Sequence, residues 1–341
     1  LGFFNNGRGQ TEGSSQANDG GTIVQPIVGT GYGVNMITSL QNTAATTWTP
    51  LAETMYIAAG YYANDGSMQY KNGNFPTTQN KDPMYFSDLA TPQYVPCPKN
   101  FVILITDGEP TMDSNIASSP PGSYPNTCAG GSLRDCDNDG NDGAIGGSYQ
   151  SDYLDDVVLW AHTTDLRPAL TGTQNIDFYM VYAFGNNPTA VQILQDAAKN
   201  GAFEDSNGNN IPDLQTEYDK DLDGVPDTYY QASDGASLET KLMSAITDIL
   251  KRSTSGTAIS VLATSASGAG NIYQAYFLPS KTIVDSSGSR DVTWLGHLLS
   301  LNIDANGSLR DNSNTCIKFS FDAVRRLRRL TAMYGMQAIN C

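Results

Sequence analysis

Phe101-Val-Ile-Leu-Ile-Thr106, followed at once by Asp107-Gly-Glu-Pro110, is the stretch on which the fold turns. A continuous apolar run of this length is the pattern of a strand buried on both faces of a parallel sheet. The Asp-Gly-Glu-Pro segment stops it sharply. Upstream, residues 51–63 read as a helix, with Thr49 placed to cap it and Pro50 at its first position. Residues 35–42 look helical, residues 22–28 read as a strand edged by Pro26, and 64–96 is a polar excursion without periodicity. Downstream, a Gly/Ser/Pro/Asn-rich loop at 111–148 leads to an amphipathic helix at 151–163. A strand at Ile176–Phe184, a helix at Thr189–Lys199, a short strand at Thr228–Ala232 and a helix at Leu238–Lys251 follow. Strands alternating with helices predict an α/β sheet with parallel pairing.

Beyond Arg252 the pattern changes to β only, with strands expected at Ile272–Leu278 and Trp294–Ile303 and a turn at 304–307. A boundary at 253–262 is therefore predicted, giving domains 1–252 and 253–341. The tail from 316 carries the chain's one basic cluster, Arg325, Arg326, Arg328 and Arg329, read as a solvated or ion-paired face.

The 341 residues hold 19 Lys+Arg against 35 Asp+Glu, a net charge of −16. Phosphate binding needs a basic face, so nucleic acid is excluded as a general partner, and cations are favoured. Charged residues make up only 16% and glycines number 33, the composition of a loop-rich, exported surface. No apolar run is long enough to span a bilayer. Leu1 opens directly on a strand-like Leu-Gly-Phe-Phe with no visible signal peptide, which predicts a processed or partial chain.

None of the five cysteines forms a Cys-x-x-Cys pair, so common zinc ribbons are excluded. An oxidising compartment with one or two disulfides is expected. Cys128 and Cys136 could close a short ring and Cys316 and Cys341 could tie back the tail, leaving Cys97 free or paired outside the chain. His162 and His297 neighbour no serine or cysteine in a catalytic motif, so no enzyme is expected.

Between Glu204 and Asp227 eight carboxylates face one lysine. Asp205, Asn207, Asn209 and Asp213 occupy loop positions 1, 3, 5 and 9, and Asp219, Asp221, Asp223 and Asp227 repeat the spacing. Ile211 and Val225 supply a carbonyl at position 7, and Gly224 permits the tight bend. Oxygen ligands in this pattern favour Ca²⁺ over Zn²⁺. Neither loop carries the glutamate of an EF-hand at position 12, though Glu217 is placed to complete the first site. Two structural calcium ions are expected, of affinity about 10⁻⁴–10⁻³ M as in extracellular modules. Asp135, Asp137, Asp139 and Asp142 form a weaker third copy, with Gly143 at position 9.

Thr49-Pro-Leu-Ala-Glu53 together with Phe101–Pro110 resembles a von Willebrand factor A domain. More narrowly, the chain is similar to the N-terminal half of the PilY-type proteins, adhesins and assembly factors at type IV pilus tips. Leu154-Asp-Asp-Val157, Thr164-Asp-Leu-Arg167, Leu194–Lys199 and Tyr229–Ala232 also match, and Trp294-Leu-Gly-His-Leu298 resembles the family's opening into a β-propeller. The resemblance implies a doubly wound von Willebrand A-like sheet followed by a β-rich, propeller-like start. In the wider family an adhesion-site metal is held by Asp-x-Ser-x-Ser after the first strand, plus a Thr and an Asp that Thr49 and Asp107 match. Asp-x-Ser-x-Ser is absent here, and Leu1–Phe4 looks like the second strand. The first, central strand is thus expected from a preceding segment or a second chain, and Mg²⁺ would bind at Thr49 and Asp107 only with that piece.

The expected function is a non-enzymatic, extracellular, calcium-stabilised adhesion and assembly protein at the pilus tip. Its implied partners are minor pilins and a surface or host receptor. The alternative is a structural subunit of an extracellular filament or surface layer that binds no receptor.

Overall fold

The computed structural model describes residues 1–5, 19–27, 32–44, 47–70, 74–86, 93–94, 98–122, 124–140 and 149–253, and strand backbone at 260–263, 270–285, 288–303 and 309–310. The chain divides into two compact units, Leu1–Ile246 and Thr247–Cys341. The division falls a few residues ahead of the compositional change.

In the first unit, β1 (Gly2–Phe4) and β2 (Gly21–Ile23) form a two-stranded antiparallel sheet of their own. The strand expected at 22–28 is therefore shorter, and Pro26 lies outside it. Helices α1 (Tyr32–Asn42) and α2 (Leu51–Ala63) follow, then the two-residue strands β3 (Tyr85–Phe86) and β4 (Gln93–Tyr94). The main sheet is built from β5 (Asn100–Thr106), β6 (Ile176–Ala183) and β7 (Tyr229–Ala232). Its helices are α3 (Leu154–Thr163), α4 (Pro188–Gly201), the single turn α5 (Gln215–Tyr218) and α6 (Gly235–Ser253).

The sheet is parallel throughout, in the order β5-β6-β7. β5 runs alongside β6 from Asn100↔Ile176 to Thr106↔Tyr182, and β6 alongside β7 from Met180↔Tyr229 to Ala183↔Ala232. Helices α3 and α4 pack on β6, and α2 packs on α3. The mixed α/β class read from the sequence is the class observed.

Strand β5 is not buried on both faces, as its apolar run suggests. It is an edge strand among the described residues, and Ile105 stands 45% exposed. The doubly buried strand is β6, where Phe178, Tyr179, Met180 and Val181 have no exposed surface, because neighbours flank it on both sides.

Helix α2 is apolar all round except at Glu53 and Thr54, the signature of a helix inside a core, and all but Thr54 is buried. Its cap differs from expectation. Pro50 takes the cap position, and the Thr49 hydroxyl turns away to bond the Glu109 carbonyl at 2.5 Å and Thr111 Oγ1 at 2.8 Å. The orphan N–H groups of Ala52 and Glu53 instead donate to the carboxylate of Asp113. A short threonine cannot serve both roles, and the fully buried Asp113 offers two oxygens.

The core gathers Trp160, Leu154, Phe178, Tyr182, Leu51 and Ile57, all nearly or fully excluded from solvent. Tyr61 and Tyr62 belong to it, anchored by Tyr61 Oη to the Lys81 carbonyl and Tyr62 Oη to the Phe101 carbonyl, each at 3.1 Å. Arg167 forks onto Asp82, with Nη2–Oδ2 2.9 Å and Nη1–Oδ1 3.1 Å, pinning the 64–86 excursion to the segment after α3. His162 is a structural histidine: its ring nitrogens lie 3.0 Å from the Ile176 and Phe203 carbonyls.

The second unit contains an antiparallel sheet of β8 (Ser260–Ala263), β9 (Gly270–Asp285), β10 (Gly288–Ile303) and β11 (Leu309–Arg310), in the order β11-β10-β9-β8. The β9–β10 ladder pairs every position except Pro279 with Trp294, where proline lacks the N–H a ladder needs. The expected turn at 304–307, the arginine cluster, and Cys97, Cys316 and Cys341 lie outside the described residues.

Candidate metal centre

The acidic insertion joins α4 to β7, which like β5 is an edge strand among the described residues. Glu204 N–H donates to the Glu217 carbonyl at 2.8 Å at its base, and Thr228 Oγ1 bonds the Ala198 carbonyl at 3.1 Å where it rejoins the fold. Its two loops share one construction. The first oxygen of each gathers the amides of its own bend: Asp205 accepts from Gly208 at 2.7 Å and Asn210 at 2.9 Å, and Asp219 from Gly224 at 2.8 Å. Such a wrap needs left-handed backbone, found at Gly208 (φ 79°), Asn210 (φ 58°), Leu222 (φ 61°) and Gly224 (φ 89°).

In the second loop, Asp219, Asp221 and Asp227 each place a carboxylate oxygen within 4.8 Å of the others. Asp219 is fully buried, and a side-chain bond from Gln215 with amides from Gly224 and Asp223 holds its pKa below the ordinary value. Burial and the neighbouring Asp221 push Asp227 the other way. Asp223 Oδ1 faces the Val225 amide at 2.8 Å, and the Val225 carbonyl remains the position 7 donor.

In the first loop the amides of Asn207 and Asn209 donate to the two oxygens of Asp213, at 2.9 and 3.1 Å, and the Ile211 carbonyl accepts the Asp213 amide. Glu217 is buried, and Ser206 occupies its Oε1 while Leu214 N–H reaches Oε2. Ser206 N–H is the largest influence lowering its pKa. Three carboxylates of the second loop converge, whereas in the first loop two asparagine amides take both oxygens of Asp213, so the second is the better-formed cation cage of the two.

A second cluster lies elsewhere in the unit. Cys128 and Cys136 are bonded, with Cα atoms 4.2 Å apart, closing a ring in the 111–140 loop. Where the ring closes, Asp135 and Asp137 converge with Asp156, and Asp137 and Asp139 with Asp155, each trio within 4.8 Å. Asp142 lies outside the described residues. At such separations two charged carboxylates repel by on the order of 3–4 kcal/mol at an effective dielectric of about 20. Burial, then Asp156 and Asp137, push the Asp155 carboxyl well above its ordinary value. Burial against the opposing Cys136 amide, with Asp137 adding, takes Asp156 up to about 8. Burial, with Asp196, takes Asp152 up to about 6.

Loop spacing alone does not reveal this cluster's helical half. Asp155 and Asp156 read as ordinary acids in the first turn of a helix, where the macrodipole welcomes them. The available signal was that both stand on a helix with almost no polar face.

Thr49 and Asp107 sit on adjoining loops at the C-terminal end of β5, linked by the Thr49–Glu109 and Thr49–Thr111 bonds. Asp107 is exposed. Compared with known proteins, the chain matches no family model, no curated protein and no solved structure.

Proposed function

We propose that the chain is an extracellular, calcium-stabilised adhesion and assembly module, of the von Willebrand A-like type borne at type IV pilus tips. The observation that carries the calcium part is the convergence of Asp219, Asp221 and Asp227 immediately before edge strand β7. A divalent ion there would replace carboxylate repulsion with ligation and fix the approach of the chain to β7 and α6. The pilus part rests on the motif resemblance. It is supported by β5, which pairs on one side only among the described residues while β1 and β2 form a separate sheet. That gap is where a strand from a preceding segment or second chain would complete the sheet, bringing Asp-x-Ser-x-Ser to Thr49 and Asp107 for a Mg²⁺-dependent contact.

Two measurements test the reading. Asp221→Asn combined with Asp223→Asn should lower the melting temperature in calcium but not in chelator; equal melting in both would reject the calcium part. Antibody against the chain should label purified pili once, at an end. Label along the fibre would favour a filament subunit instead, and unlabelled fibres would reject both.

A further inference from the structure

We propose that Asp135, Asp137, Asp155 and Asp156, with the side-chain oxygen of Asn200, form a calcium site that clamps the Cys128–Cys136 ring onto α3 and α4. Acidic residues alone do not make a site; Asn200 supplies the independent observation. It lies near the end of α4, 1% exposed, and its Nδ2 donates to Asp137 Oδ2 at 3.0 Å and Asp155 Oδ2 at 3.2 Å. It is Nδ2 that faces the cluster, while Oδ1 is buried with no hydrogen-bond partner; half a turn about the Cβ–Cγ bond exchanges the two atoms and sets the oxygen beside Asp137 and Asp155, the orientation an ion would select. Buried carbonyl oxygens are rarely left so, and an asparagine oxygen is an ordinary calcium ligand.

The charges point the same way. No basic side chain among the described residues pairs with Asp155 or Asp156. The nearby cations are engaged elsewhere: Arg134 donates Nε to the Ile116 carbonyl at 2.7 Å and lies over the Tyr153 ring, and Lys199 lies over Tyr218. What the cluster lacks is a compact positive charge that takes several oxygens. An all-oxygen donor set drawn from one loop and two helices suits the irregular, high coordination of Ca²⁺ better than the strict octahedron of Mg²⁺ or the N/S preference of Zn²⁺. The ion would tie residues 135–137 to the first turn of α3 and the last turn of α4. The site is independent of the adhesion reading, because an ion here needs neither pilus nor receptor.

Equilibrium dialysis with radioactive calcium on the full, oxidised chain tests this, alongside melting in calcium and in chelator. Asp155→Asn and Asp137→Asn should each remove one bound equivalent, or weaken it at least tenfold, while the 219–227 site keeps its calcium. Calcium should raise the melting temperature of each variant less than that of the wild type. In chelator Asp155→Asn should melt no lower than the wild type, since a repelling carboxylate has gone. Should Asp155→Asn fail to fold, Asp137→Asn, whose side chain is only half-buried, carries the same measurement. Unchanged binding and an unchanged calcium-dependent rise in the variants would overturn the proposal. Unchanged binding in Asp221→Asn/Asp223→Asn, with one equivalent lost in Asp155→Asn, would fail the 204–227 reading and leave this one standing.

Discussion

Asp113 holds the start of α2 from 61 residues away: its Oδ2 accepts the Ala52 N–H at 2.9 Å and its Oδ1 the Glu53 N–H at 3.0 Å. Two first-turn amides of the helix are thus satisfied by the 111–115 segment, so a local element depends on a tertiary contact. The same segment bonds the far side of Glu53, whose Oε1 accepts the Asn115 amide at 2.9 Å and whose Oε2 accepts that of Gly20 at 2.7 Å.

Asp113→Ala should cost about 1–2 kcal/mol, the usual loss for a helix cap. Asp113→Asn should cost less, since one oxygen remains. Urea unfolding of both variants measures the difference; no loss in the alanine variant would show that water replaces the cap.

Arg167→Ala should be more damaging, by about 3–5 kcal/mol, because it strands a buried carboxylate. Asp82 has no side-chain exposure. Adding Asp82→Asn should recover part of the loss, and a double-mutant cycle by denaturant titration reads the coupling. Additive costs would contradict it.

Tyr56, Tyr61 and Tyr229 are each pushed from 10.0 up to about 12 by burial, with Asp65 adding at Tyr56, Asp82 at Tyr61 against the Ile27 amide, and Tyr182 at Tyr229. A phenol whose folded value lies above its unfolded one favours the fold fully below pH 10, and that contribution disappears as pH rises through 12. Phenolate absorbance and circular dichroism should therefore change together between pH 10 and 12. Ionisation near 10 with the fold intact would disprove this.

Reducing Cys128–Cys136, which spans eight residues, should cost about 2–3 kcal/mol by the loop-entropy relation. Gly130→Ala should damage the same ring without touching sulfur, since a Cβ there would stand 1.9 Å from the Asp135 carbonyl. Both changes should weaken calcium binding at Asp135 and Asp137, read by equilibrium dialysis; undiminished binding would separate the ring from the cluster.

Strong local signals were legible in the sequence. Helix α2 occupies the residues its pattern marks, and the apolar runs at β5 and β6 are strands. What eluded the sequence was set by distant partners. Composition cannot tell that, among the described residues, β5 has one neighbour and β6 two, nor that Asp113 will do the work assigned to Thr49. The loop spacing at 205–227 showed where oxygens gather, because that wrap is local. Asp155, Asp156 and Asn200 reach the 135–139 bend only through the packing of α3 on α4, which no spacing records.

The pairing of β5 with β6 has a cost in time. Asn100 bonds the Asn175 carbonyl across 75 residues of chain. At about 5–20 residues per second, a ribosome needs roughly 4–15 s to deliver the second strand after the first. Through that interval Val102, Ile103, Leu104 and Ile105 wait for the neighbour that β6 provides. Nascent chains of this protein should therefore lean on holding chaperones during synthesis, and slowing translation between β5 and β6 should lower the yield of folded product.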